Sequence, residues 1–213
     1  MAGLVISHTE SDGGGDFKPT PEGTHIAVCS AVVDLGSHYS QTYTKWNHQV
    51  AIQWQLPEET LVVDGETVPR TVTKTFGLSL HEKASLRKTL ESWRSKKLTP
   101  AELSSYNLEV LLGKGCQVTI VHNASQDGSK TYANVAGVVS LPKGVATPKV
   151  HKGTTMFSLS EIDNAVFEAL PEWMQEKIQS SKEWKALDKV TGDPATDDEP
   201  SGVSADTEEE IGF

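Results

Sequence analysis

A mainly β fold with a helical insertion is the class this sequence predicts, and three observations carry it. Five segments alternate or carry β-branched residues on both parities; the period switches to that of a helix once, after the third; and turn or capping signals separate the segments. Residues 1 to 20, rich in Gly, Ser and Asp, read as a flexible lead-in. "THIAVCSAVVDLG" follows, with apolar or small residues on both parities, which predicts a central strand covered on both faces. After the polar "SHYSQTYT", "KWNHQVAIQWQLP" places Trp46, Val50, Ile52, Trp54 and Leu56 on one parity and Lys45, Asn47, Gln49, Gln53 and Gln55 on the other. That is a half-buried strand with an amide-rich outer face, and Trp54 reads as core. Glu58-Glu59 beside Pro57 reads as a solvated turn at the strand end. Asp64-Gly65 then signals a hairpin into a third strand ending in Val72, Phe76, Leu78 and Leu80.

Leu86, Leu90 and Trp93 recur at helical spacing in "SLHEKASLRKTLESWR", and Ser79 with Glu82 has capping-box spacing at its start. Thr99 and Glu102 form a second box with Pro100 at the first helical position of "TPAELSSYNLEVLLG", a helix that Gly113 would end. "GCQVTIVHN" and "TYANVAGVVSL" are the last two strands, joined across Asp127-Gly128. Three strands, helices, then two strands is the order of an OB-fold, a five-stranded Greek-key barrel, assigned to residues 21–143. A linker and a helical segment (144–190) follow, with Ser158 and Glu161 as a third capping box; the sequence leaves open whether this piece packs on the barrel or makes a homo-oligomer.

Charge is distributed unevenly. From Asp193 to Phe213 there are eight acids and no Lys or Arg, so this stretch carries −8 of the net −10. Between His81 and Lys97 the balance is +4. A near-neutral body with a basic patch and an acidic arm over 191–213 is therefore expected, the arm disordered. No run of 18 apolar residues and no signal-peptide pattern is present, which predicts a soluble, cytoplasmic protein. Cys29 and Cys116 stand far apart without CxxC or partner histidines, so buried thiols are expected in place of a disulfide or zinc site. The seven histidines show no ligand spacing, and "LLGKGCQVT" lacks the pattern of a phosphate loop. No catalytic residue, cofactor or metal is predicted.

An OB-fold binds its ligands between the loop joining strands 1 and 2 and that joining strands 4 and 5. The first loop, "GSHYSQTYTKW", carries Tyr39, Tyr43, Lys45 and Trp46; the second, "NASQDGSKTY", carries Lys130 and Tyr132. Exposed rings to stack bases and cations to follow phosphates are what an unpaired strand requires, and Arg70 and Lys74 on strand 3 would extend the basic track. The plainer alternative is that these aromatics cover the barrel ends. Lys83, Arg87 and Arg94 line one side of the first helix, either as a solvated face or as a groove wall or docking site for the chain's own tail.

These aromatic and basic loops, together with an acidic arm closing on "EEEIGF", resemble the single-stranded DNA-binding proteins of bacteria and their phages. The stretch from "LSLHEKASLRKTLESWR" through "LLGKGCQVTIVHNASQDGSKTYANV" is similar to a phage-encoded family of this kind, over roughly residues 20 to 187. The resemblance implies a non-enzymatic protein of the host bacterial cytoplasm that coats single-stranded DNA during replication and recombination. It also implies that Glu208, Glu209, Glu210, Ile211 and Phe213 recruit partner proteins. The chain departs from the bacterial pattern at its tip, which is not "DDDIPF", in its longer helical insertion, and in its added C-terminal segment. A barrel serving mainly as a replication or recombination adaptor for protein binding is the alternative, and a purely solubilising tail is the simpler reading of the acids.

Overall fold

The structure, a computed structural model, describes residues 19–124 and 131–191. Strands β1 (Gly23–Ser40), β2 (Lys45–Val63), β3 (Glu66–Gly77), β4 (Gly115–Ala124) and β5 (Thr131–Val139) form one antiparallel sheet in the order β3-β2-β1-β4-β5. A short β6 (Thr155–Phe157) adds in parallel to β1 at Ala31–Val33. Helix α1 (Ser85–Trp93), helix α2 (Pro100–Ser104) and a 3₁₀ turn (Leu108–Leu111) lie between β3 and β4. After β6 come α3 (Asn164–Glu168), α4 (Glu172–Gln179) and α5 (Lys182–Thr191).

β1 is the hinge of the sheet. Its first part, Gly23–Val28, pairs with β4, and from Val28 to Ser40 it pairs with β2. Register shifts fall between Cys29 and Ala31 and between Asp34 and Gly36. Bulges sharpen the bend and twist of a strand, so the sheet curls. Its edges β3 and β5 approach closely enough for Lys74 Nζ to donate to the Val135 carbonyl at 2.8 Å. The first bulge also explains the doubly apolar pattern of β1. Ala27, Cys29 and then Val32 face the core inside the curl, whereas Ala31, Val33 and Leu35 belong to a second cluster on the outside.

The inner core joins Val50, Ile52, Trp54, Leu56, Val72, Phe76, Val118 and Ile120 to Leu86, Leu90 and Trp93 of α1. Trp54 is fully buried, as its parity predicts. Its ring lies 5.9 Å from that of Trp93, whose indole nitrogen donates to the Gly115 carbonyl at 3.0 Å. Complete burial of such side chains contributes about 1.5–3 kcal/mol each, so α1 is held as a lid by apolar area. The outer core is built by the C-terminal segment: Phe157, Phe167, Leu170, Met174 and Ile178 cover Ala31, Val33, Leu35 and Ala51. The segment that the sequence left unplaced thus packs on the convex face of β1 and β2. Both thiols are buried and unpaired. Burial pushes the Cys29 thiol up to about 12 and raises Cys116 as well.

Local signals succeed where the side chains that carry them stay local. Asp64 and Gly65 both take positive φ (51° and 81°) between the paired Val63 and Glu66, the two-residue turn that matches hairpin twist. The Thr99 box forms completely, with Glu102 N donating to Thr99 Oγ1 and the Glu102 carboxylate accepting from Thr99 N. The other two boxes do not form. α1 begins at Ser85 after an uncapped Ala84, because Ser79 Oγ accepts from His81 N in a preceding turn. α3 is capped by Asp163, because Ser158 is engaged with Ser160 and bridges Glu161 in a strand-like pair. The predicted single helix over "TPAELSSYNLEVLLG" breaks after Ser104, whose hydroxyl donates to the Ala101 carbonyl and competes with the helical ladder. Gly113, at φ 71°, ends the 3₁₀ turn. Glu58-Glu59 is no strand end: β2 runs through it with a register shift between Leu56 and Thr60, which accommodates Pro57. The amide-rich face of β2 is also less open than predicted. Gln55 is buried, donating to the His151 carbonyl at 3.0 Å and accepting from His151 N at 2.7 Å.

Candidate nucleic-acid interface

The hairpin joining β1 and β2 turns over Gln41–Thr44, with Thr44 at φ 48°. Tyr39 and Trp46 are direct cross-strand partners, and their rings meet edge to face at 5.7 Å. A cross-strand aromatic pair of this kind stabilises a hairpin by about 0.5–1.5 kcal/mol beyond the area it buries. The rings nevertheless remain open: Tyr39 is 52% exposed, Trp46 51% and Tyr43 70%. Each end of the group carries a cation. Lys45 Nζ lies 5.9 Å from the centre of the Tyr43 ring, and Lys182 Nζ lies 5.5 Å from that of Trp46. At exposed sites such cation-ring contacts are worth about 0.5–1 kcal/mol, less than the roughly 1–3 kcal/mol of a base stacked on an aromatic platform. A base can therefore take the ring face from the ammonium.

The base of this hairpin is clamped by the first turn of α5. Ser181 is fully buried against Gly36, where an added Cβ would lie 2.5 Å from Ser181 Cβ. Ser37 N donates to a Glu183 carboxylate oxygen at 2.6 Å, and the other oxygen lies 3.8 Å from His48 Nδ1. On its far side, His48 Nε2 contacts Asp34 Oδ1 at 2.6 Å. Asp34 also accepts from Gly36 N at 2.9 Å and Leu159 N at 3.3 Å. One chain of polar contacts thus ties the second bulge of β1, β2, the turn after β6 and α5. Burial raises the Glu183 carboxyl, but the hydrogen bonds from Ser37 outweigh it and hold the group below its ordinary value. Burial lowers neighbouring His38, whose ring meets the Leu35 carbonyl at 2.9 Å.

Tyr39, Tyr43, Lys45 and Trp46 therefore come together, and the structure adds Lys182 to them. Other predicted strand-binding residues lie elsewhere. Arg70 stands opposite Leu56, ten positions along β2 from Trp46, which is about 30 Å of strand. Lys74 shares the inward parity of Val72 and Phe76; it is half-buried, its ammonium 5.5 Å from the Phe76 ring as well as on Val135, and burial lowers its pKa. Its position is that of a stitch across the β3–β5 seam. Tyr132, half-buried, faces Asn123 near the β4–β5 tip, while Lys130 lies outside the described residues. The β4–β5 hairpin extends past Gly23, whereas the β1–β2 hairpin begins at Ser40, so the two predicted loops leave opposite ends of β1.

The basic side of α1 is largely paired. Arg87 bonds Glu91 at 3.0 Å and the Leu80 carbonyl at 3.3 Å. Arg94 meets Glu102 at 2.6 Å and lies over the Tyr106 ring, at the wall of a cavity of about 500 Å³ shared with Val110, Lys114 and Leu141. Lys83, before α1, is exposed. The tail residues Glu208, Glu209, Glu210, Ile211 and Phe213 lie outside the described residues.

Lys182 and Glu183 escaped the sequence reading because nothing in their local pattern refers to a hairpin so distant in the chain. Among the described residues, no group of three or more His, Cys, Asp or Glu side chains could hold a metal ion, and no helix is long and apolar enough to cross a membrane. Neither the family models nor the curated proteins compared with this chain give a match.

Proposed function

We propose that this protein binds single-stranded DNA through the β1–β2 hairpin, as a phage-type OB-fold protein, and recruits replication or recombination partners through its acidic C-terminal stretch. The observation that carries the reading is the group of three open rings, Tyr39, Tyr43 and Trp46, flanked by the ammonium groups of Lys45 and Lys182. Unpaired bases expose the flat faces that such rings accept, and the cations serve the backbone. The OB reading is supported by the first strand shared between the second and fourth, by the helices between β3 and β4, and by the approach of β3 to β5. The acids from Asp193 onward would compete with DNA for these cations and leave the Ile211–Phe213 tip free for partners once displaced.

Titration with oligo-dT, followed by tryptophan emission at two salt concentrations, tests the proposal. Salt-sensitive quenching that duplex of equal length does not reproduce is the expected result. Equal affinity for single strand and duplex would refute it. Capture of a replication protein without any DNA affinity would favour the adaptor reading.

A further inference from the structure

We infer that Lys182 is a strand-contacting residue that occupies the Trp46 ring face in the free protein and passes to a phosphate when a base stacks there. The site is thus built from two distant parts of the chain, the β1–β2 hairpin and α5. This rests on the single-stranded DNA reading above and goes beyond it by assigning the C-terminal helix a direct role in binding.

Three features of α5 carry the inference. First, the residues around Lys182 are all anchored: Ser181 is buried against Gly36, Glu183 accepts from Ser37 N, and the Trp184 ring stacks on Phe167 at 4.6 Å. Lys182 itself is exposed, so its stem leaves from a fixed point. Second, its ammonium lies over the one tryptophan of the open hairpin, 5.5 Å from the ring centre. Third, Lys182 opens the first turn of α5, where the helix dipole disfavours a cation, so helix stability does not account for it. The contact with Trp46 is weak and solvent-exposed, and a lysine head moves freely on its four-carbon stem. A nucleotide stacked on Trp46 brings its own phosphate to the rim of the ring, so the ammonium exchanges one negative partner, the π face, for a stronger one.

Oligo-dT titrations of the unaltered protein, Lys182→Ala and Lys182→Arg over a range of monovalent salt test the inference. One lost phosphate contact on a single strand lowers the slope of log affinity against log salt by about 0.7, which amounts to about eightfold in affinity at roughly 50 mM salt relative to 1 M. Lys182→Ala should show both changes, and Lys182→Arg should show neither. Without DNA, Lys182→Ala should increase acrylamide quenching of tryptophan emission, and the increase should vanish when Trp46→Phe is added. If the unaltered protein binds and Lys182→Ala matches it in affinity and slope, the inference falls and the DNA-binding reading stands. Equal loss in both variants at an unchanged slope would mark a structural role and overturn it too. Absence of binding by the unaltered protein removes both.

Discussion

Gly36→Ala strikes the joint on which the candidate site depends. Gly36 sits at φ 75°, so any side chain there adopts a left-handed backbone, at about 1 kcal/mol. The new methyl would also lie 2.5 Å from Ser181 Cβ, 2.7 Å from Ser181 Oγ and 2.9 Å from Leu159 Cδ1. The Ser181 atoms belong to a short, fully buried side chain that cannot swing aside, so either the backbone of α5 moves or the overlap remains, at about 1–3 kcal/mol. The sum, about 2–4 kcal/mol, matches or exceeds the roughly 1.5–3 kcal/mol of a hydrogen bond to a carboxylate such as that of Ser37 to Glu183, so α5 should loosen from the hairpin before the sheet unfolds. Hydrogen exchange resolves this outcome: amides of α5 and that of Ser37 should lose protection while β2 and β4 keep theirs. Urea unfolding should show a reduced stability of the C-terminal segment. Full protection of α5 in the variant, with unchanged stability, would refute the claim that Gly36 is required by the close approach of Ser181.

Trp46→Ala should weaken oligo-dT binding by about 1–3 kcal/mol, measured by titration, and should lower stability to urea by about 0.5–1.5 kcal/mol through loss of the pair with Tyr39. The docking of α5 should depend on pH through Glu183. Its carboxyl is held below the ordinary value, so the contribution is complete above the unfolded carboxylate's pKa, near 4.3, and fades as pH falls through the lower folded value. Glu183→Gln should flatten that acid limb in a series of unfolding curves between pH 3 and 7, and an unchanged limb would assign it to another group. Deleting Ile211 to Phe213 should leave DNA affinity almost intact and abolish partner capture. Removing everything from Asp193 onward should tighten DNA binding at low salt, and equal affinities would rule out competition by the acids.

What could be read from the sequence alone was what neighbouring residues decide among themselves. The alternation of β2 put Trp54 in the core, Asp64-Gly65 supplied its own turn geometry, and Thr99 met Glu102 within one helical turn. The same capping pattern misled at Ser79 and Ser158 because those hydroxyls had other partners. The rings and Lys45 of the hairpin were legible, since one short loop carries them all. Tertiary structure decided the rest. The curl of the sheet turned Lys74 from a surface cation into a bond across its seam, and the bulges in β1 divided one apolar strand between two cores. It also brought Lys182 to Trp46 and Glu183 to Ser37, pairings that depend on how the C-terminal segment folds back over the convex face of β1 and β2. Sequence patterns record contacts made within a turn or a strand; contacts between distant segments arise only once burial of apolar area has bent the sheet and closed the chain upon it.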